Sequence, residues 1–190
     1  MGVAVVRILD LGAGKDSTAA KIFTREEFPN REIVTVDINP EVEPDIVADV
    51  RQLPDDLGEF DAIMASHLLE HLNRKDVLPA LLGWAGHLKL GGQLHILVPD
   101  LGWALEAMDK HGQYLSALQH IYGGQDNEWQ YHRCGFTVKL LRGLIRDAGL
   151  RLVGLQTGPY GLVSRNDETG EVTACEAQQI YALATRREHA

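Results

Sequence analysis

The segment Val3-Ala4-Val5-Val6-Arg7-Ile8-Leu9-Asp10-Leu11-Gly12-Ala13-Gly14-Lys15-Asp16 carries the clearest pattern in the chain. An apolar run ends in an acidic residue and a glycine turn, and a segment with helical periodicity follows. Gly12 and Gly14 let a ligand approach backbone that any Cβ would block, and the following helix offers free N–H groups at its start. The segment therefore predicts a strand, a turn and a helix that hold a nucleoside at the carboxyl end of the strand.

The glycine turn by itself is compatible with more than one ligand. Glycine-rich turns between a strand and a helix also hold the pyrophosphate of NAD or FAD, in the pattern G-x-G-x-x-G. Here Ser17 stands where the third glycine should fall, and Asp10 would repel a pyrophosphate. A carboxylate at this point instead favours a ligand with an amino group or hydroxyls. A tight turn in which Asp16 or Ser17 caps the helix without any ligand is the simpler alternative.

Acidic residues also end the next strands that the sequence predicts. Residues 31–37 form a strand pattern that ends on Asp37, and residues 44–50 form a shorter one with Asp49 near its end. Asp37 follows the glycine turn by about the 20 residues at which an acid holds ribose hydroxyls in nucleotide-binding sheets. Since the carboxyl ends of parallel strands share one edge, Asp10, Asp37 and Asp49 are expected along that edge.

The rest of the chain predicts alternating helices and strands. Apolar residues at helical spacing predict helices, and short apolar or alternating runs predict strands. The predicted helices are 16–27, 74–88, 103–120 and 136–148, the last with Thr137 or its neighbour near the N-cap; further strands are 59–66, a fifth leading to Asp100, and two closing strands at 150–157 and 177–186. This alternation favours a parallel sheet covered by helices.

Taken in order, these motifs resemble the class I S-adenosylmethionine-dependent methyltransferases over residues 4–100. Residues 8–14 resemble the first motif of that family, Val36-Asp37 its ribose-binding acid, and Ala48-Asp49-Val50 its adenine-contacting acid. The fourth strand with its exit, and the lead into the fifth strand, also match, at 60–63, 66–72 and 88–100. Asp16 departs from the family pattern, which often has a further glycine there.

The resemblance implies an α/β fold. It would be a Rossmann-like doubly wound sheet of seven strands in the order 3-2-1-4-5-7-6, with the last strand antiparallel, in three layers. Residues 1–190 would form a single methyltransferase domain: a cofactor-binding half at 1–100, a helix and loop over the acceptor site at 101–135, and a helix with the closing strands at 136–190. With 190 residues, 45% of them apolar, the chain is long enough to bury one such core.

The implied cofactor is S-adenosyl-L-methionine, and the implied product is S-adenosyl-L-homocysteine. The residues expected to bind it lie at the strand ends: Asp10, Gly12, Ala13, Gly14, Asp37, Ile38, Asp49, Val50 and Ser66. The implied reaction is an in-line displacement, in which an acceptor atom attacks the methyl carbon of a sulfonium. Little covalent chemistry falls to the protein, because positioning is worth up to roughly 7–11 kcal/mol in favourable cases.

Three histidines are the predicted catalytic residues. A hydroxyl acceptor needs a base as its proton leaves, and histidine has the side-chain pKa closest to working pH. We expect this role of His67 first, then of His132 and His71, with Asp100 at the tip of the fifth strand as a further candidate. An amine acceptor that binds unprotonated would need no base, and a histidine that only packs or caps is the alternative at each position.

A polar and aromatic loop at 121–135 is predicted to overhang the carboxyl ends of strands four and five, where a methyl acceptor has to lie. Loops on a rigid scaffold commonly bind ligands, and an ordered surface loop is the alternative. The stretches Tyr122-Gly123-Gly124-Gln125 and Gly135-Phe136-Thr137 resemble a bacterial and phage subgroup of type 11-like methyltransferases, some of them associated with glycan synthesis. The polar and aromatic side chains of the loop are Tyr122, Gln125, Asp126, Asn127, Trp129, Tyr131, His132 and Arg133.

The composition of the chain indicates which methyl acceptors and which cellular compartment to expect. A net charge of −9 and a pI near 5.3 disfavour nucleic acid and favour a small-molecule or glycan acceptor, methylated on oxygen or nitrogen. Cys134 and Cys175 are far apart, which predicts free thiols in a reducing, cytoplasmic environment. Neither an export signal nor a membrane-spanning run is predicted. A homodimer is a candidate assembly.

Three other classes of protein share parts of these patterns. His67-Leu68-Leu69-Glu70-His71 matches H-x-x-E-H, a zinc-peptidase signature. A zinc peptidase of that class also needs a distant acid as its third protein ligand. The sequence has no glutamate between Glu128 and Glu168, so no metal is predicted. An NAD-dependent oxidoreductase would share the strand, turn and helix, but the third glycine is missing. A non-catalytic nucleoside-binding protein would keep the fold without turnover.

Overall fold

The computed structural model of the protein describes residues 4–125, 127–165 and 172–187. Seven strands run through these residues: β1 (Val6–Leu11), β2 (Arg31–Asp37), β3 (Ile46–Val47), β4 (Phe60–Ser66), β5 (Leu88–Pro99), β6 (Leu150–Arg165) and β7 (Val172–Arg186). The helices are α1 (Thr18–Ile22), α2 (Arg74–Gly86), α3 (Leu101–His111), α4 (Tyr114–Tyr122) and α5 (Val138–Asp147). Short 3₁₀ turns lie at Pro40–Val42, Asp55–Leu57 and Leu69–His71.

The strands form one sheet in the order β3-β2-β1-β4-β5-β7-β6. The five strands from β1 to β5 pair in parallel, whereas β7 is antiparallel to both β5 and β6. At the centre of the sheet, Leu9 of β1 is paired with Val34 of β2 on one side and with Ile63 of β4 on the other. The predicted Rossmann-like sheet, its strand order and its antiparallel last strand are confirmed. The carboxyl ends of the parallel strands share one edge, where ligands bind in sheets of this kind.

Helices cover both faces of the sheet. Side chains alternate along β1, so that Leu9 joins the large cluster with α2 and α5 while Ile8 packs with α1 on the opposite face. Trp84 of α2 is fully buried, and its indole N–H donates to the carbonyl of Val50 at 2.8 Å. α3 and α4 pack on each other around a small cluster of alanines. The three predicted layers are thus present.

One predicted helix is shorter in the structure, and another is divided into two. The predicted helix at 16–27 is reduced to α1, because the Thr24 hydroxyl accepts a hydrogen bond from the Glu27 N–H at 3.3 Å and holds the chain in a separate turn. The predicted helix at 103–120 is two helices, α3 and α4. Gly112 has a left-handed backbone with φ of 63° and ends α3, so that the chain turns before α4 begins.

The closing strands are longer than predicted. The strand predicted at 150–157 continues to Arg165, and the strand predicted at 177–186 begins at Val172. β6 and β7 pair along almost their whole length, so ladder hydrogen bonds continue into a polar, glycine-containing stretch that the sequence indicates as a connection. β3 has two residues, where the sequence predicts a strand at 44–50.

Within the described residues, no helix combines the length and apolar character that a bilayer crossing requires. Cys134 is a half-buried free thiol, and burial raises its pKa to about 11. A thiol with such a pKa stays protonated near neutral pH and reacts slowly. The predicted free thiol at Cys175 cannot be compared, because that side chain lies outside the described residues.

His95 in β5 should give the stability of the fold a measurable pH dependence. Burial lowers its pKa to about 4, whereas an exposed histidine titrates near about 6.5. Between these values the unfolded chain binds a proton that the folded chain does not, so stability falls as the pH drops. When the pH falls from about 7 to about 5, the free energy of unfolding should therefore decrease by about 2 kcal/mol less in His95→Asn than in the wild type. Urea unfolding at both pH values measures this difference, and equal losses would contradict it.

Candidate active site

A cavity of about 360 Å³ opens at the carboxyl edge of the parallel strands. It lies between the glycine turn after β1, the end of β2, the segment after β3, the turn after β4 and the loop after α4. A small-molecule site is expected at this place in a doubly wound sheet. The residues around the cavity are Gly12, Asp37, Ile38, Asp49, Val50, Arg51, His67, Leu68, His71, Leu72, Asn73, Glu128, Trp129, Tyr131 and Arg133.

The glycine turn shapes one side of this cavity. Gly12 and Gly14 have left-handed backbones, with φ of 63° and 57°. A Cβ on Gly12 would lie 2.7 Å from Leu68 Cδ1, whereas no described atom lies within 4 Å of a Cβ on Gly14. The Gly12 N–H donates to the carbonyl of Val36 at 2.8 Å, which fixes the turn against β2. The backbone is therefore accessible to a ligand at this side.

Asp37, the last residue of β2, lines the cavity together with the turn. Its Oδ2 accepts the Gly14 N–H at 3.0 Å, and its Oδ1 accepts the Asn39 N–H at 2.9 Å. A carboxylate has about four acceptor positions, so about two remain for the hydroxyls of a ligand. Ile38, the next residue, is exposed and also lines the cavity. The arrangement suits the ribose-binding role predicted for Asp37.

Asp49, Val50 and Arg51 form a charged end of the cavity. The Arg51 guanidinium donates to both carboxylate oxygens of Asp49, at 2.5 Å from Nη2 to Oδ2 and 2.9 Å from Nε to Oδ1. These hydrogen bonds lower the pKa of Asp49 and keep it ionised. Arg51 also reaches Asp76 Oδ2 at 3.4 Å. Arg51 lines the cavity but is not among the residues predicted from the sequence. Its position two residues after Asp49 could have indicated that it lies there.

Four residues predicted to bind the cofactor are not part of the cavity wall: Asp10, Ala13, Gly14 and Ser66. Asp10 is 1% exposed, and its Oδ2 accepts the Ser17 hydroxyl at 2.5 Å and the Ala19 N–H at 3.2 Å. Burial raises the pKa of Asp10, and these two hydrogen bonds offset only part of the rise. Asp10 thus fastens the start of α1 to β1, and any effect on a ligand acts through the shape of the turn.

His67 follows β4 and has a backbone that is rare for its residue type. Its φ of 49° lies in the left-handed region, and such strain concentrates at functional sites. The ring Nε2 donates to Gln179 Oε1 at 3.0 Å, and Nδ1 lies 3.3 Å from Glu70 Oε1. Burial lowers the pKa of His67, but the nearby carboxylate of Glu70, together with the hydrogen bond to Gln179, outweighs burial and raises the pKa. His67 is therefore favoured as a charged donor, with neither nitrogen free to take a proton.

His71 and His132 meet beside Glu70. Their ring centroids are 4.9 Å apart, and the rings are nearly perpendicular. The Nδ1 of His71 donates to the carbonyl of Tyr131 at 3.1 Å, and the Nδ1 of His132 donates to the carbonyl of His120 at 3.0 Å. His71 lines the main cavity, whereas His132 and Glu70 line a smaller one behind it. One ligand atom from each of Glu70, His71 and His132 lies within 4.8 Å of the other two, which makes this cluster a candidate metal site.

The loop after α4 forms the outer wall of the cavity. Trp129 and Tyr131 are about half exposed there, and the Arg133 N–H donates to the carbonyl of Glu70 at 2.7 Å, which ties the loop to the turn after β4. The second half of the loop thus lines the cavity, and its predicted position over an acceptor stays a prediction. The first two residues of the loop, at 121–122, belong to α4, and Asp126 lies outside the described residues.

Asp100, the further catalytic candidate, does not line the cavity. Its Oδ1 accepts the Gly102 N–H at 2.9 Å and so caps α3. Other cavity residues that sequence reasoning did not single out are apolar or polar side chains of the turn after β4, and the periodicity of the sequence gave no sign of their position. They are Leu68, Leu72 and Asn73.

Comparisons with known proteins identify a family. A family model described as "Methyltransferase domain" matches residues 4–155. An S-adenosylmethionine-dependent methyltransferase from Methanosarcina mazei superposes with a TM-score of 0.66 at 17% identity, covering 95% of this chain and 92% of that chain. One from Clostridium acetobutylicum gives 0.63 at 12% identity, covering 97% and 85%. We found no significant match among curated protein sequences.

A third solved structure contains ligands. It is the 1,6-didemethyltoxoflavin-N1-methyltransferase of Burkholderia thailandensis, with bound 1,6-didemethyltoxoflavin and S-adenosylhomocysteine. Its TM-score is 0.58 at 17% identity, covering 96% of this chain and 71% of that chain. At these identities the structures establish the fold, while the family match extends over most of the chain. The predicted assignment as a methyltransferase, and hence as an enzyme, is confirmed: the chain belongs to the methyltransferase domain family.

Proposed function

We propose that this methyltransferase uses S-adenosyl-L-methionine to methylate an oxygen or nitrogen atom of a small-molecule or glycan acceptor. One observation carries the cofactor assignment. Gly12, Asp37 and Asp49 follow or end three neighbouring strands, and all three line one cavity. A nucleoside requires three features of its site: accessible backbone, as at Gly12, an acid for the ribose hydroxyls, as at Asp37, and an acid for the amino group of the base, as at Asp49.

The donor set of the cavity fits this cofactor. Asp37 keeps acceptor positions that suit two ribose hydroxyls. Asp49 and Val50 line the same cavity, where they would contact an adenine. Gly12 and Gly14 leave room at the turn, and Asp10, Ala13, Ile38 and Ser66 would support or flank the bound molecule. When bound, the cofactor supplies a methyl carbon on a positively charged sulfur. The contribution of the chain is to hold an acceptor atom in line with that carbon.

The outer wall of the cavity supports a small acceptor. Trp129 and Tyr131 present exposed ring surfaces, which favour contact with a planar or sugar ring. The net charge of −9 argues against a polyanionic acceptor such as nucleic acid. The toxoflavin-type methyltransferase, which shares the fold, holds a small molecule. The glycan alternative is supported by the resemblance of the loop sequence to the bacterial and phage subgroup.

The three predicted catalytic histidines would take different roles. His71 and His132 each donate from Nδ1, so their Nε2 atoms carry lone pairs that can accept a proton. Burial lowers the pKa of His132, and the charge of Glu70 offsets only part of this, so its imidazole stays neutral. His67, favoured as a cation and held between Glu70 and Gln179, would act through its charge and position in the cavity wall rather than as a base.

Replacing His67 should lower turnover without weakening cofactor binding. We expect His67→Ala to reduce kcat by about 10²-fold, because it releases Glu70 and Gln179 and displaces an acceptor-facing side chain. His67→Asn, which tolerates the left-handed backbone better, is the second variant. Methyl-transfer rates and S-adenosylhomocysteine affinity are measured on both, with His87→Ala as a matched control. Wild-type rates in both variants would remove His67 from the catalytic set.

Calorimetric titration with S-adenosylmethionine, S-adenosylhomocysteine and NADH tests the proposal. We expect micromolar binding of the two sulfur nucleosides and no binding of NADH. An acceptor screen with labelled methyl groups then follows. Binding of NADH would instead favour an NAD-dependent oxidoreductase. A folded sample that binds neither sulfur nucleoside would overturn the proposal in favour of a non-catalytic protein.

A further inference from the structure

We infer that Glu70, His71 and His132 bind a divalent transition-metal ion at the border of the acceptor cavity. The site itself stands on the geometry of these three residues. Its link to the acceptor rests on the function proposed above. Both parts follow from one buried carboxylate, two oriented imidazoles and the position of His71 in the cavity wall.

The Glu70 carboxylate is the first observation. It is 1% exposed, and neither of its oxygens accepts a hydrogen bond from the described residues. His67 Nδ1 approaches Oε1 at 3.3 Å, within ion-pair distance. A buried carboxylate with so few partners is costly, and natural proteins keep such groups paired or bound to a metal. The second oxygen has no hydrogen-bond partner among the described groups, so it is available to bind a further cation.

The two imidazoles are held in the tautomer that a metal requires. Nδ1–H of His71 donates to the Tyr131 carbonyl, and Nδ1–H of His132 donates to the His120 carbonyl. Histidine ligands in metal sites are fixed in this way, by a hydrogen bond from the nitrogen that does not bind the metal. Each Nε2 therefore keeps its lone pair, and the ligand atoms of the three residues lie within 4.8 Å of one another. Small side-chain adjustments would bring all three to about 2 Å from one ion.

The backbone holds the third ligand in place although it is distant in sequence. Glu70 and His71 belong to the H-x-x-E-H stretch, and His132 comes from the loop after α4. The carbonyl of Glu70 accepts the N–H groups of Arg133 and Cys134, at 2.7 and 3.2 Å. The loop is thereby fastened to the turn at the residues next to the ligand. The third ligand of this site is a histidine and not the distant acid of the zinc-peptidase signature.

The donor set indicates the class of metal. Two imidazole nitrogens and one carboxylate oxygen suit Zn²⁺, and the same set with open positions suits Fe²⁺. Three protein ligands leave coordination positions for another molecule. Because His71 also lines the main cavity, an ion that it binds would lie at the border of the space proposed for the acceptor. In this arrangement His71 and His132 act as ligands rather than as bases.

The ion would select acceptors with an oxygen donor, because a bound cation lowers the pKa of a hydroxyl that coordinates it. The acceptor hydroxyl releases its proton to solvent water, and its oxygen forms the new bond to the methyl carbon. The C–S bond of the sulfonium breaks, and its electron pair stays on sulfur. Charge and atoms balance without any redox partner.

The test is a titration of tag-free, chelator-treated full-length protein with ZnCl₂. We expect saturable one-to-one binding to the wild type, and at least about tenfold weaker binding to Glu70→Gln and His132→Ala. His87→Ala is the matched control and should bind like the wild type, because His87 lies just before β5, at the opposite edge of the sheet. Absence of saturable binding, or unchanged affinity in both ligand variants, would overturn the inference.

A second measurement uses only the wild type, so that it does not depend on the folding of a variant. Substoichiometric MnCl₂ should broaden the imidazole NMR signals of His71 and His132 and leave those of His87 unchanged. Equal broadening of all three would overturn the site. S-adenosylhomocysteine binding, measured on the metal-free protein, separates the two proposals. Cofactor binding without metal binding would overturn only the metal site. Metal binding without cofactor binding would overturn only the proposed function.

Discussion

Gly123→Ala should destabilise the protein by about 3 kcal/mol and abolish methyl transfer. Gly123 ends α4 with φ of 80° and ψ of 178°, a backbone conformation that is essentially restricted to glycine. A Cβ there would lie 1.8 Å from the carbonyl oxygen of Gln130 and 3.0 Å from His132 Cδ2. Because the obstacle is backbone, the loop itself must move. That movement displaces Tyr131 and His132 from the positions that they hold beside His71.

Urea unfolding and methyl-transfer rates measure both effects of this substitution. Gly143→Ala is the matched control: it lies within α5, and no described atom lies within 4 Å of its new Cβ. We expect this control to be unchanged or more stable by up to about 1 kcal/mol, since alanine favours a helix. A Gly123→Ala protein with wild-type stability and rate would show that the loop rearranges without cost and that its conformation is not required.

Asp37→Ala should weaken the binding of S-adenosylhomocysteine by about 1–3 kcal/mol, which is roughly 5- to 150-fold in Kd. The substitution removes the acceptor positions proposed for the ribose. It also leaves the N–H groups of Gly14 and Asn39 without their acceptor, so the glycine turn loses a support. Both losses act on the same ligand and in the same direction.

Isothermal titration calorimetry on Asp37→Ala and Asp45→Ala provides the comparison. Asp45 is a nearby carboxylate that accepts hydrogen bonds from Thr35 and is not part of the cavity wall. It therefore controls for the loss of one negative charge and of one backbone contact. We expect Asp45→Ala to bind like the wild type. An Asp37→Ala protein that also kept wild-type affinity would remove Asp37 from the cofactor site.

The sheet could be predicted from the sequence because its signals are local and repeated. The parallel strands are apolar runs with an acid or a polar residue at or near the tip, as at Asp10, Asp37 and Ser66, and helix patterns follow the first, fourth and fifth of them. Helix ends were less predictable, since they depend on single contacts. The hydroxyl of Thr24 redirects the chain after α1, and Gly112 divides what its apolar spacing indicates as one helix.

The candidate site was predictable only in part, because its second half is assembled by tertiary contacts. Asp37 and Asp49 follow from their positions at strand ends. The meeting of His132 with Glu70 depends on backbone hydrogen bonds between the loop and the turn after β4, which no local pattern reveals. The burial of Asp10 depends on which face of β1 meets α1, and its sequence position alone suggests a ligand contact.

The place of β7 in the sheet has a consequence for synthesis of the chain. β7 follows β6 in sequence, yet it lies between β5 and β6, so the edge of β5 is closed by residues translated roughly 80 positions later. At about 5–20 residues per second, that edge stays open on the ribosome for several seconds. Leu94, Ile96 and Val98 belong to this strand, and an open apolar edge is a template for aggregation. Between the emergence of β5 and that of β7, the nascent chain is therefore open to edge-to-edge association, and a chain that terminates before β7 would keep this edge unpaired.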